Sequence, residues 1–146
     1  MTTEGLFHAL RISASGLRAE MERLRTAAAN IANVHTTRTP EGGPYAPRRV
    51  VLAAQDLFGR LLRQAGRDPR VLGGVEVQQI AADRQSPPRL AYDPHHPDAD
   101  EHGMVAYPPI DVPTEMVDVL SAGRAYEANV AALEAAKKMM DRALDI

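Results

Sequence analysis

Apolar residues recur with helical spacing at both ends of the chain. Between Phe7 and Ile31, and again between Met116 and Leu144, they follow alternating steps of three and four residues, with Gly123 and Lys137 as imperfect members. This spacing is typical of the seam along which helices pack as a coiled coil. The pattern predicts two long helices that pack on each other and on a further partner.

The middle of the chain carries a different pattern. All eleven prolines lie within residues 40–113. Because proline interrupts helices, the long helices must flank this region. Residues 48–53 and 75–80 have the β-branched and apolar content of strands. Residues 57–64 fit either a short helix or a loop, and residues 87–109, rich in Pro, Asp and His, predict an extended loop.

Together these patterns predict a mainly α fold with a small β-containing middle. Residues 1–35 form the N-terminal helix of a coiled-coil core, residues 36–112 an irregular central β and loop segment rich in Pro and Gly, and residues 113–146 the C-terminal helix. Pro113 suits the first turn of the second helix, with Asp111 or Thr114 as the cap.

The first helix contains residues that disfavour a helix interior. Ser13, Ser15 and Gly16 follow one another closely in the N-terminal half. Such residues lower helix propensity. This stretch could therefore bend, fray, or fold only when a partner is present.

A second stripe runs beside the apolar seam of the C-terminal helix. Its members are Ala125, Ala128, Ala132, Ala135 and Met139. The stripe is offset by one residue, about 100° around the helix axis. A helix with two apolar stripes can contact two neighbours at once, and small alanines allow close approach. Alternatively, the alanines serve helix propensity alone.

Charged pairs on the helix surfaces have a simple interpretation. Arg18 with Glu22, and Glu134 with Lys138, are spaced four residues apart. Such pairs are ordinary on solvated helix faces and contribute a few tenths of a kcal/mol. A second hypothesis gives them a role in selecting the register of a partner helix.

Composition narrows the function classes. The chain has 146 residues, enough for one domain, with 45% hydrophobic and 25% charged residues. A net charge of −2 offers no basic field for nucleic acid. The absence of cysteine excludes disulfides and thiol ligands. Residues 1–16 lack the features of a cleaved signal peptide, and no apolar run is long enough for membrane insertion.

The strongest candidate for catalysis is the segment from Asp93 to His102. Three histidines and four carboxylates lie in these ten residues, and such groups could hold zinc or manganese. Its two prolines, however, do not present ligands on one face, and no distant histidine cluster completes the shell. We therefore expect no metal and no cofactor. A metal-dependent enzyme using His95 to His102 and a freestanding coiled-coil adaptor remain as alternatives.

Several motifs in order along the chain are similar to one known family. The chain resembles the flagellar basal-body rod proteins, in particular those of the proximal rod. The resemblance covers most of the sequence apart from residues 54–74, which could be an insertion. The motifs are residues Ile12–Leu17, Asn30–Val34, Thr36–Tyr45, Ser86–Leu90, Tyr92–Pro94, His96–Glu101 and Arg124–Val130.

The resemblance implies a non-enzymatic structural subunit of the shaft that crosses the periplasm and transmits torque for motility. It implies export through the flagellar type III apparatus without cleavage, and assembly with further copies and with other rod proteins. It implies neither a small-molecule substrate nor a nucleic-acid partner.

Transferred to this sequence, the resemblance assigns subunit contacts to the terminal helices. Head-to-tail contacts build an open helical tube, so each subunit needs two different surfaces. The loop of residues 36–45 would be a further contact, and the asparagines would be polar groups satisfied at packed interfaces. The expected interface residues are Leu10, Leu17, Met21, Leu24, Asn30, Ile31, Asn33, Tyr126, Ala128, Asn129, Val130, Ala132, Leu133 and Met140.

Overall fold

The structure, a computed structural model, describes residues 3–54 and 73–144. Within these residues a long helix lies toward each end and four short strands lie between the helices, so the predicted mainly α fold with a β-containing middle is confirmed. Residues 57–64 lie outside the described residues. The elements are α1 (Thr3–Ala32), β1 (Arg48–Ala54), β2 (Val75–Ala82), β3 (Arg89–Tyr92), β4 (Met104–Tyr107) and α2 (Val112–Leu144).

The start of α2 is capped as the sequence predicts. The backbone N–H of Thr114 donates to Asp111 Oδ2 at 3.3 Å, and the Thr114 hydroxyl donates to the same oxygen. Asp111 is therefore the cap, and Pro113 lies in the first turn, where its missing N–H costs nothing. Glu115 adds a negative charge near the positive end of the helix dipole.

The α1 helix runs without a break through its weak helix formers. The Ser15 hydroxyl donates to Ile12 O at 2.7 Å and accepts from Val75 N–H at 3.1 Å, so it ties α1 to the start of β2. Gly16 faces α2, because a Cβ added there would lie 2.8 Å from Asn129 Oδ1. Tertiary contacts occupy both positions, and the helix is unbroken across them.

The two strands predicted at residues 48–53 and 75–80 are present as β1 and β2. They pair antiparallel from Arg48 opposite Ala82 to Ala54 opposite Val75, with an irregularity between Val51 and Leu52. This ribbon packs along α1, so the first half of the central segment is tied to the N-terminal helix.

The predicted extended loop at residues 87–109 is wrong in part. β3 and β4 form an antiparallel hairpin within it, from Arg89 opposite Tyr107 to Tyr92 opposite Met104. Each strand has only four residues, which is too short for an alternating pattern to stand out among prolines and acidic residues. The hairpin buries an apolar side chain, since Val105 of β4 is 0% exposed.

The described core consists mainly of small residues. The buried hydrophobic residues of the two helices are all alanines, and the largest fully buried side chains are Val105, Asn30 and Pro108. Small residues let the backbones of α1 and α2 approach closely. The large apolar side chains of both helices are consequently displaced toward the surface. The buried alanines are Ala19, Ala27, Ala122 and Ala136.

Candidate assembly surface

α1 and α2 lie side by side and run antiparallel. Near the middle of the pair Gly16 faces Asn129. Arg23 Nη2 lies 3.9 Å from Asp118 Oδ1, and at one end of the pair Asn30 donates to Glu115. Residue numbers therefore rise on α1 as they fall on α2.

The structure leaves most of the expected interface side chains half-buried. Asn30 is buried, while Ala128 and Ala132 are exposed. Their assignment to contacts between subunits stays a prediction, and partial exposure leaves such contacts open to them. The half-buried members are Leu10, Leu17, Met21, Leu24, Ile31, Asn33, Tyr126, Asn129, Val130, Leu133 and Met140.

The fully covered face of α1 is offset from the apolar seam. Its buried positions include Ser15, Ala19, Thr26 and Asn30, which are small or polar. The seam residues lie to one side of this face. The large apolar periodicity of α1 therefore does not coincide with the surface that the chain itself covers.

α2 presents a long apolar face away from its own chain. The stripe residues Ala128, Ala132 and Ala135 are exposed, and Met139 is 48% exposed. Nearer the N-terminus of α2, Val117 and Leu120, which our sequence analysis missed, are each 62% exposed. These two residues are apolar but belong to neither predicted stripe, and that pattern could have identified them from the sequence. Exposed apolar area of this length is typical of an interaction surface.

Asn30 joins three elements at the end of the helix pair. Its Nδ2 donates to Arg48 O at 2.9 Å and to the Glu115 carboxylate at 3.1 Å, and its Oδ1 accepts from Arg48 N–H at 2.9 Å. The Tyr45 hydroxyl lies 3.3 Å from the same Oδ1. The side chain is 1% exposed, so these bonds replace water completely and fix α1, β1 and α2 together.

The other two asparagines serve their own helices. Asn33 Nδ2 donates to Ala29 O at 2.8 Å at the end of α1. Asn129 Nδ2 donates to Ala125 O at 2.9 Å, one turn back on α2. The Asn129 side chain therefore lies along the helix, against Gly16.

The loop of residues 36–45 is held against the β3–β4 connection. Thr37 Oγ1 donates to Asp98 Oδ2 at 2.7 Å, and Arg38 lies 3.5 Å from the same carboxylate. The turn at Gly42 and Gly43 has φ values of 88° and 74°, which only glycine adopts without strain. This loop and the Ser86 segment border an open groove of about 610 Å³.

Family comparisons match both ends of the chain. The family described as flagella basal body rod protein matches residues 10–38, and the flagellar basal body rod FlgEFG protein C-terminal family matches residues 101–146.

Relatives that match over nearly the whole chain are also flagellar basal-body rod proteins. Flagellar basal-body rod proteins FlgC are 39% identical in Borreliella burgdorferi, over 97% of both chains, and 40% identical in Bacillus subtilis, over 96% of this chain and 97% of the relative. The FlgC protein of Salmonella typhimurium is 36% identical over 97% of both chains. The chain belongs to the family of flagellar basal-body rod proteins. It is a structural subunit of the rod in the flagellar basal body, not an enzyme.

The histidine-rich loop of this rod protein contains several hydrogen bonds between neighbouring residues. Within residues 3–54 and 73–144, no cluster of His and carboxylates is arranged to hold an ion. His96 Nδ1 accepts from Asp98 N–H at 3.1 Å, while Asp100 accepts from the N–H groups of His102 and Met104. The bond from Met104 is the main reason that the pKa of Asp100 is lowered. The metal-enzyme alternative is not supported.

Within the described residues, the two ion pairs predicted on the helix surfaces do not form. Glu22 pairs with Arg25 at 2.9 Å, so the predicted pair of Arg18 with Glu22 is wrong. Among the ion pairs of residues 3–54 and 73–144, there is likewise none between Glu134 and Lys138. Neither of the described helices is long and apolar enough to cross a membrane.

Proposed function

We propose that this rod protein is a proximal-rod subunit whose terminal helices assemble into the tubular drive shaft of the flagellum. In this proposal α1 and α2 pair as a coiled coil, and the coiled coils of successive subunits pack side by side. Many parallel contacts of this kind would transmit torque across the periplasm. The subunit's neighbours are other copies and other rod proteins.

The observation that carries the proposal is the outward apolar face of α2. Val117 and Leu120 near its N-terminus, and Met139 near its C-terminus, are about half exposed or more. A chain that functioned alone would gain nothing from keeping such side chains in water. Because α1 covers the opposite face of α2, the outward face is available to a second helix from another subunit.

The predicted domain organisation fits this function. The helices of residues 1–35 and 113–146 form the core of the shaft, and residues 36–112, with the candidate insertion at 54–74, face outward neighbours. Asn30 supports the surface rather than forming it, since its polar atoms bond within the chain. The subunit reaches the rod through the flagellar type III export apparatus without a cleaved signal peptide.

A deletion combined with a location measurement tests the rod assignment. In the parent strain the protein should be found by mass spectrometry in purified hook-basal bodies. A clean deletion should be non-motile and lack rods, and the gene supplied in trans should restore both. Normal swimming of the deletion, or absence of the protein from basal bodies, would overturn the proposal.

The seam assignment has its own test. Leu133→Arg places a charge among half-buried apolar side chains, so we expect loss of rod incorporation and motility. Leu133→Met keeps apolar volume and should preserve both. Export of both variants, assayed in culture supernatant, separates failure to assemble from failure to reach the assembly site. Normal motility of Leu133→Arg would contradict the seam assignment.

A further inference from the structure

Three arginines form a regular line on the outer surface of α1. Arg11, Arg18 and Arg25 follow one another at intervals of seven residues, and all three are exposed. Seven residues span about 10.5 Å of helix. Of the three, Arg25 contacts Glu22, whereas no ion pair within residues 3–54 and 73–144 involves Arg11 or Arg18. We call this line the arginine stripe.

Three acidic residues form a matching line on α2. Glu127, Glu134 and Asp141 are also spaced by seven residues, and all three are exposed. Cations such as Lys138 lie nearby on the same helix, yet within the described part of the chain none of the three carboxylates makes an ion pair. We call this line the acidic stripe.

The two stripes cannot meet within one chain. Gly16 marks the side of α1 that faces α2, since it opposes Asn129. At about 100° per residue, the arginine stripe lies roughly 180–220° around α1 from Gly16. The acidic stripe lies roughly 120–160° around α2 from Asn129. Both stripes therefore point away from the contact between α1 and α2.

We propose that the arginine stripe of one copy docks on the acidic stripe of a second copy of this chain. The inference rests on the proposed rod function, and it names the partner and the register of one contact. Complementary charge with identical spacing is the argument, because three ion pairs then form at once in a single register. Such pairs select register and partner more than they add affinity.

The geometry of an open assembly determines which arginine of one copy faces which acidic residue of the next. Copies related by rotation and translation along one axis keep the same polarity, so α1 of one copy runs antiparallel to α2 of the next. Antiparallel alignment pairs Arg18 with Glu134 at the centre. Arg11 then faces Asp141, and Arg25 faces Glu127. Since the stripes lie on different helices, the contact is head-to-tail and leaves one stripe of each kind available for the next copy.

Charge reversal tests the proposed contact at its centre. Arg18→Glu and Glu134→Arg should each reduce the amount of the protein in purified basal bodies by about tenfold, because each places like charges opposite one another. The double variant restores opposite charges and should recover incorporation to within about twofold of the parent. Circular dichroism of each purified variant checks that the helices still form. Equal incorporation of all variants, or a double variant no better than the singles, would overturn the proposal.

Cross-linking identifies the partner independently. Because the native chain has no cysteine, Arg18→Cys with Glu134→Cys introduces unique attachment points for a short bis-maleimide. Assembled basal bodies should yield covalent dimers of this chain. The control, Arg18→Cys with Glu127→Cys, is one heptad out of register and should yield few.

The outcomes separate this proposal from the rod function. Protein present in basal bodies without dimers, with equal dimers in the control, or with cross-links only to a different protein would overturn the stripe contact and leave the rod function intact. Protein absent from basal bodies of the parent strain would overturn the rod function itself.

Discussion

The most buried and the most exposed apolar residues of α2 differ in size. On the face toward α1, Ala122 is 0% exposed and Ala136 is 3% exposed. On the outward face, Val117 and Leu120 are each 62% exposed. A protein that folds for itself alone places its large apolar residues inside and its small ones anywhere. Here the order is reversed.

The reversal indicates what each face does. Alanines on the inner face let α1 and α2 approach closely, which rigidifies the pair but buries little apolar area. Valine, leucine and methionine on the outer face keep their larger area for a partner, where burial of each such side chain contributes about 1.5–3 kcal/mol. In the proposed assembly, the inner face shapes the subunit and the outer face supplies the free energy of docking.

The largest effect on the inner side should come from Asn30→Ala. The substitution leaves the Arg48 peptide groups and the Glu115 carboxylate without their buried partner. Unpaired buried groups of this kind cost about 1–3 kcal/mol each, so we expect a loss of about 3 kcal/mol in the free energy of unfolding. Urea denaturation measures this change in the free energy of unfolding. Asn33→Ala is the control: it removes two part-buried bonds at the end of α1, one to Ala29 O and one from the Thr36 hydroxyl, and should lose about 1 kcal/mol.

Much of this fold is predictable from the sequence because the signals are local. Helical periodicity and the Asp111–Pro113 cap locate α2, and β-branched runs locate β1 and β2. The β3–β4 hairpin escaped prediction because its strands have four residues each and lie among prolines and acidic residues, although Val105 is fully buried. A four-residue strand carries too few positions to show that by itself.

The covered face of α1 was harder to predict for a different reason. Large apolar residues dominate any periodicity analysis, and they mark the seam from Leu10 to Ile31. The residues that the chain itself buries, such as Ser15, Ala19 and Asn30, are small or polar and give no such signal. If the seam serves the assembly, as we propose, its pattern describes the rod more than the single subunit.

The same substitution, Ala→Leu, should have different effects on the two faces of α2. Ala122→Leu forces three extra carbons between the helices, and overpacking of this kind costs about 1–3 kcal/mol of stability. Ala128→Leu adds the same atoms on the exposed stripe, so stability should change by less than about 0.5 kcal/mol while rod incorporation falls. Denaturation and basal-body content measure the two effects.

Ala54→Leu, at an exposed position of β1, controls for added apolar bulk away from the helices and should leave incorporation unchanged. Equal destabilisation by Ala122→Leu and Ala128→Leu would mean that the two faces do not differ as described.

Charges on the outward face should affect assembly alone. Val117→Lys combined with Leu120→Lys changes side chains already exposed to water, so the free energy of unfolding should shift by no more than about 0.5 kcal/mol for each. Rod incorporation should be lost, because two desolvated ammonium groups would oppose docking. A stable, exported variant that incorporates normally would remove this part of α2 from the interface.

The smallest expected effect is that of Gly16→Ala, and the sign of the change in the free energy of unfolding tests how closely α1 and α2 approach. In a helix interior, Gly→Ala ordinarily stabilises a protein by about 1 kcal/mol. Gly16→Ala would instead place a Cβ 2.8 Å from Asn129 Oδ1 and push away a side chain that bonds Ala125 O. We therefore expect no gain, or a loss below about 1 kcal/mol. Once Asn129→Ala has removed the obstruction, Gly16→Ala should stabilise by the ordinary amount. An equal gain in both backgrounds would show that α1 and α2 do not approach closely at Gly16, since only a contact there couples the two positions.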